Sequence, residues 1–174
     1  MRINFFGGPG AGKSTSAARV FAQLKERQVS VEHVGEYVKA WAYQQRNVTP
    51  FDQVYIFGKQ HQYEYRYLSR GVQNIVTDSP CFLSAYYARL TKPELAGPIL
   101  ELVDLYDDDH PCHNIFLHRR DKPYVQEGRW QDEAGARRVD AELLLMLRGH
   151  YPDLTELDYS DQDGILHAVL AVVD

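Results

Sequence analysis

Cysteine is scarce in this 174-residue chain: Cys81 and Cys112 are the only two, and neither belongs to a Cys-x-x-Cys pair. A disulfide-stapled scaffold is therefore excluded, and both thiols are expected to be reduced. Long apolar runs are missing too. None approaches the ~18–20 residues that a membrane-spanning helix needs. The first six residues run straight into a glycine loop rather than into a cleavable leader, so a cytoplasmic protein is expected, with no membrane partner. Positive charge is also short, with a formal net charge of −5. Proteins that hold nucleic acid mainly through phosphate contacts usually carry a basic surplus, so any such binding must rest on a local patch. Repeats, low-complexity segments and linkers are absent. The expectation is one domain over residues 1–174.

What remains is an ordinary globular composition, 44% hydrophobic and 25% charged. A short apolar run at residues 2–6 predicts a buried strand, and residues 30–34, 74–77, 114–118 and 155–158 read as four more. Between them lie helical patterns. Ala17, Val20, Phe21 and Leu24 mark one over residues 14–28, and a shorter one is expected over 36–45. Thr49 as N-cap and Pro50 at the first helical position open another, which Arg70-Gly71 ends. Residues 80–90 and 93–106 predict two more, and Val139, Leu143, Met146 and Leu147 define a face over 131–148. A last helix, capped by Ser160 or Asp161, runs to about 173. Strands alternating with helices predict an α/β fold, a parallel sheet covered on both faces.

The most specific motif is Gly7-Gly8-Pro9-Gly10-Ala11-Gly12-Lys13-Ser14, which fits GxxxxGK[ST] at every fixed position. It stands between a predicted strand and a predicted helix, the context a P-loop requires. The backbone amides of Gly8, Gly10, Ala11 and Gly12 are expected to converge on one anion, reinforced by the positive end of the following helix. Lys13 is expected to reach the β- and γ-phosphates of ATP, Ser14 to ligate Mg²⁺, and Thr15 to contact the α-phosphate. A P-loop alone does not distinguish kinase, GTPase and motor. The NKxD guanine element is absent, and the strand at 74–77 ends in a single Asp78 followed by Ser-Pro, a pattern nearer to small-molecule kinases.

Glu36 and Asp78 both follow predicted strands, on the side where α/β sheets place their ligands. Transfer to a hydroxyl calls for one carboxylate near the acceptor and one near the metal. Glu36 is assigned as the base and Asp78 as the metal-shell acid, although the pattern allows the two to exchange roles and Glu36 to act simply as a helix cap. Residues 119–130 are charged and aperiodic, and read as a lid carrying Arg119, Arg120, Lys122 and Arg129 toward a transferring phosphoryl group. The alternative for these arginines is a solvated loop balanced by nearby acids. Tyrosines at 63, 65, 67, 86 and 87 could stack on a base or fill the edge of a core. His110, Cys112 and His113 lie close together beside a helix end, and a zinc site is not expected there.

Taken together, FFGGPGAGKST, Glu36-Tyr37, Asp78-Ser79-Pro80 and the Lys122-Pro123-Tyr124…Gly128-Arg129…Gln131 segment resemble the small P-loop kinases of bacteriophages. These are similar to nucleoside, nucleotide and nicotinamide-riboside kinases, and within the group the match is nearest to 5-hydroxymethyluracil DNA kinases. The resemblance covers roughly residues 1–150. It implies a P-loop kinase fold, ATP and Mg²⁺ as cofactors, and Lys13, Ser14, Glu36, Asp78, Arg119 and Arg129 as site residues. The acceptor it implies is the 5-hydroxymethyl group of 5-hydroxymethyl-2′-deoxyuridine in phage DNA, which has to be unpaired or flipped out to be reached. A free nucleoside or deoxynucleoside monophosphate is the alternative acceptor, and an NTP-binding regulatory switch is a third reading.

Overall fold

Residues 1–120 and 123–173 are described by a computed structural model. The lid candidate Lys122 lies outside the described residues. Strand β1 (Arg2–Phe6) enters the glycine loop and is followed by α1 (Lys13–Glu26), β2 (Val31–Val34), α2 (Lys39–Tyr43), α3 (Asp52–Leu68) and β3 (Asn74–Thr77). Then come α4 (Phe82–Thr91), a 3-10 turn at Pro93–Leu95, α5 (Ala96–Asp109), β4 (Cys112–His118), α6 (Glu133–His150), β5 (Thr155–Asp158) and α7 (Gln162–Leu170). The strands form one parallel sheet in the order β2-β3-β1-β4-β5. This is the α/β arrangement that the alternating pattern predicts.

Side-chain alternation along the central strands builds the two cores. Ile3 and Phe5 of β1 join Ile115 and Leu117 of β4 against Ala17, Val20 and Leu24 of α1 and Ile165 and Val169 of α7. Phe6 and Phe116 point the other way, into Phe57, Phe82, Ala85, Ile99, Val139 and Leu143 from α3, α4, α5 and α6. Polar side chains also sit on that second face. Asn4 donates through Nδ2 to Oδ1 of its in-register partner Asn114 at 2.9 Å. Arg2, 2% exposed, pairs with Asp107, lies 3.7 Å from Glu64 and donates through Nε to the His110 carbonyl at 2.8 Å.

Three helix starts depart from the sequence expectation. Helix α2 begins at Lys39 rather than 36, because the Tyr37 amide donates to Gln60 Oε1 at 3.2 Å instead of entering a helical ladder. Thr49 does not cap α3 directly. Its amide and hydroxyl donate to Asp52 Oδ2 at 2.7 and 2.9 Å, and the regular helix starts at Asp52 after a turn. The segment expected as one helix from Pro93 is split into a 3-10 turn and α5. Asp161 caps α7 by accepting from the Gly164 amide at 2.9 Å. Among the described residues no helix is long and apolar enough to cross a membrane.

Candidate functional site

The glycine loop leaves the carboxyl end of β1, beside the place where the strand order turns from leftward to rightward. Ligands of open α/β sheets settle at such points. Gly12 adopts φ 105°, a left-handed conformation open to glycine, and offers α1 no side-chain cap. The first-turn amides of α1 are thereby left to an external anion. Lys13 folds back, donating through Nζ to the Gly7 carbonyl at 2.7 Å and the Gly8 carbonyl at 3.1 Å. Loss of solvent holds its ammonium below the usual lysine range, with Glu36 and Asp78 pulling in the opposite direction. Ser14 and Thr15 are exposed at the start of α1.

Glu36 lies in the loop after β2, and Asp78 directly follows β3. A single side chain spans the two positions. Gln60 of α3 accepts from the Tyr37 amide at 3.2 Å and donates to Thr77 Oγ1 at 3.4 Å. Thr77 Oγ1 also accepts from the Ser79 amide at 3.2 Å, which fixes the turn carrying Asp78. Burial raises the Glu36 carboxyl above the ordinary carboxylate range, and Lys13 only partly offsets this. Asp78 is 7% exposed, and its Oδ1 has no hydrogen-bond partner. An unpaired buried carboxylate oxygen costs ~1–3 kcal/mol or more, which a bound ligand would recover.

These groups share one cleft of about 510 Å³. Lys13, Ser14, Glu36 and Asp78 line it together with Gln53 and Ile56 of α3 and Ser84 and Tyr87 of α4. Gln53 is 6% exposed and Ser84 4%, so both are buried polar groups facing a cavity. Burial, and then the charge of Glu36, push the Tyr87 hydroxyl well up. Among the described residues no cluster of three or more His, Cys, Asp or Glu side chains forms a metal cage. The donor set that does exist, the Ser14 hydroxyl and the unpaired Asp78 oxygen, suits Mg²⁺, which keeps most of its water and takes only one or two protein oxygens beside phosphate.

The arginines separate into three positions. Arg129 lines the cleft, its guanidinium bonded to the Val125 carbonyl and lying 5.4 Å from the centre of the Tyr124 ring. Arg119 does not face the cleft as a free lid arginine. It is 5% exposed, pairs with Asp140 of α6, and donates to the Pro9 carbonyl at 3.0 Å. Arg120 turns to Asp158 at 2.6 Å, away from the glycine loop. The expected lid thus presents one of these three arginines to the cleft. The reason is that Arg119 directly follows the buried strand β4 and is fixed with it.

The aromatics divide in the same way. Tyr86 is 1% exposed and donates to Glu142 Oε2 at 3.1 Å, while its neighbour Tyr87 reaches the cleft. Tyr63 packs against Tyr37, and Arg66 lies over both Tyr63 and Tyr67. Sequence reasoning missed Gln53, Gln60, Ser84 and Asp140. A signal for the first two exists: two glutamines seven residues apart fall on one helix face, the face that carries Phe57 inward. Asp140 gives no such signal, since it meets the glycine loop across 132 residues.

Comparison with known proteins agrees with this architecture. No curated protein sequence matches the chain. Among solved structures, the NadR protein in complex with NR is similar over 99% of this chain, with a TM-score of 0.71 and 14% identity. The chain spans only 49% of that NadR chain. Deoxyadenosine kinase from M. mycoides, with dCMP and a flexible dCDP bound, is similar over 98% of this chain and 97% of its own, with a TM-score of 0.58 and 15% identity. The same kinase with bound dATP gives 0.55 at 15% identity. At these identities the likeness establishes the fold, that of P-loop kinases. A family model described as an AAA domain matches residues 2–161, and the chain belongs to that family.

Proposed function

We propose that this protein is an ATP-dependent kinase that transfers a γ-phosphate to a hydroxyl of a nucleoside-type acceptor. The observation that carries the reading is the shared cleft of about 510 Å³, lined at once by Lys13 and Ser14 of the loop, by Glu36 and Asp78, and by residues of α3 and α4. The triphosphate lies along the loop amides, with Lys13 on its outer phosphates. Ser14 and Asp78 would hold Mg²⁺, which when bound would supply charge neutralisation to the phosphates. Glu36 accepts a hydrogen bond from the acceptor hydroxyl and takes its proton as the oxygen attacks phosphorus. Burial raises the Glu36 carboxyl and so makes it a stronger proton acceptor than an ordinary carboxylate. Arg129 faces the same space and is placed to balance charge on the transferring group. The similar structures that bind NR, dCMP, dCDP and dATP support a nucleoside-type ligand here.

The finer reading of the acceptor is 5-hydroxymethyl-2′-deoxyuridine within DNA, and one surface feature favours it. Beside α2 and α3, Arg46 lies 3.5 Å over the Trp41 ring, and Lys92 lies 5.6 Å from Phe51. Tyr43 and Phe51 are 59% and 64% exposed. The cations Arg46 and Lys92 beside the exposed Tyr43 and Phe51 suit a strand whose bases are unstacked, while Trp41 itself is buried and stacked on Tyr55. The test offers γ-labelled ATP with hydroxymethyluracil-containing DNA, unmodified DNA, and free nucleosides and nucleotides. Label on the modified DNA alone supports the finer reading. Label only on free nucleosides or nucleotides keeps the kinase and discards the DNA acceptor. Hydrolysis with no transfer to any acceptor discards the kinase in favour of a nucleotide switch.

A further inference from the structure

A carboxylate presses against the glycine loop from behind, where negative charge is least welcome. Asp140, on the second turn of α6, accepts from the Gly8 amide through Oδ1 at 2.5 Å. Its other oxygen accepts from Arg119 Nε. Arg119 Nη2 donates to the Pro9 carbonyl at 3.0 Å and to the Ala136 carbonyl at 3.3 Å. The Gly8–Pro9 stretch is therefore gripped at both a donor and an acceptor, by two side chains that also bind each other. Gly8 is required here by space rather than by backbone angle. A Cβ at that position would lie 2.6 Å from the Ala136 carbonyl oxygen and 2.7 Å from Asp140 Oδ1.

An isolated carboxylate at this spot would repel a bound triphosphate. Paired with Arg119 it is charge-neutral, and its remaining effect is geometric. Both groups are also felt by Lys13, in opposite directions. A direct role for Arg119 on the phosphoryl group would require it to abandon Asp140 and two carbonyls from a site that is 5% exposed. We propose that Asp140 and Arg119 form a paired positioning device, which sets the Gly8–Pro9 peptides and through them the path of the loop that receives the triphosphate. The proposal rests on the nucleotide reading of the loop given above.

The experiment measures the Kd of Mg·ATP by calorimetry, the steady-state KM and kcat, and the melting temperature of the full chain. In Asp140→Ala the Gly8 amide loses its acceptor and Arg119 the partner that holds its fork, a geometric loss opposed only by the removal of one negative charge. ATP Kd and KM should both rise about tenfold, while kcat at saturating ATP stays within about threefold. Gly8→Ala, which forces α6 away from the loop without changing any charge, should give the same signature. Arg119→Lys, which keeps the charge and loses the fork to Pro9 and Ala136, should fall between the wild type and Arg119→Met. An unaltered ATP Kd in Asp140→Ala overturns the proposal, whether or not the melting temperature drops. A loss confined to kcat also overturns it, by making the pair part of the chemistry. A wild-type protein that binds no ATP removes the nucleotide reading itself, which is a different failure.

Discussion

Replacing Glu64 by Gln should change how stability depends on pH, by an amount the structure sets. Glu64 of α3 is 0% exposed, accepts from Cys81 Sγ at 3.5 Å, and keeps Oε2 without a hydrogen bond, 3.7 Å from Arg2 Nη1. Burial outweighs the pull of Arg2, raising its carboxyl from the ordinary 4.5 to about 7. A raised acid favours the protonated form in the folded state. Its stabilising contribution is therefore complete below 4.5 and is lost as pH rises through 7. At ~1.4 kcal/mol per pH unit, the interval from 4.5 to about 7 corresponds to about 3 kcal/mol. Gln does not titrate. The stability of Glu64→Gln relative to wild type should thus climb by about 3 kcal/mol between pH 4.5 and pH 8, through terms that every other group shares and cancels. Urea unfolding of both proteins at half-unit steps measures this directly. Parallel curves across the range would refute the reasoning, because they would mean that Glu64 is already ionised in the fold or already solvated.

Four further outcomes follow from the site. Lys13→Ala should abolish phosphoryl transfer and move the melting temperature by no more than a few degrees, as judged by transfer assay and calorimetry side by side. In the wild type, activity should fall on the acid side with a midpoint above 4.5, because burial raises Glu36 and the base must be ionised to work. Glu36→Gln should lower kcat at least a hundredfold, leave ATP Kd within about threefold, and remove that acid limb from the pH–rate profile. Asp78→Asn should raise the Mg²⁺ concentration for half-maximal activity about tenfold or more, read from a magnesium titration at fixed ATP.

The elements of this fold were legible because their signals are local. Residues 2–6, 74–77 and 155–158 match β1, β3 and β5 residue for residue, since short apolar runs bounded by turn residues have few other outcomes. The glycine loop was equally legible, its spacing being dictated by the backbone path around an anion. What lay outside the sequence pattern came from contacts between distant segments. Arg2 reads as the polar first residue of a strand, yet it is buried against Asp107 and stacked 3.9 Å over Tyr106. Arg119 reads as one of several lid cations. Only the meeting of β4, α6 and the loop shows that it is anchored beneath Pro9. Glu36 and Asp78 were found from their positions after strands, whereas the glutamine that links their turns could not be inferred from either.

Gln60 separates two jobs along a single helix. Its carboxamide registers the loop carrying Glu36 against the turn carrying Asp78. About one and two turns earlier, Ile56 and Gln53 line the cleft without bonding to either turn. The amino-terminal half of α3 is therefore free to diverge under selection for a new acceptor while its middle keeps the two carboxylates in register. On the kinase reading proposed above, a change of acceptor would leave the turns carrying Glu36 and Asp78 untouched. The region where relatives of this chain should differ most, without losing activity, lies between residues 47 and 56.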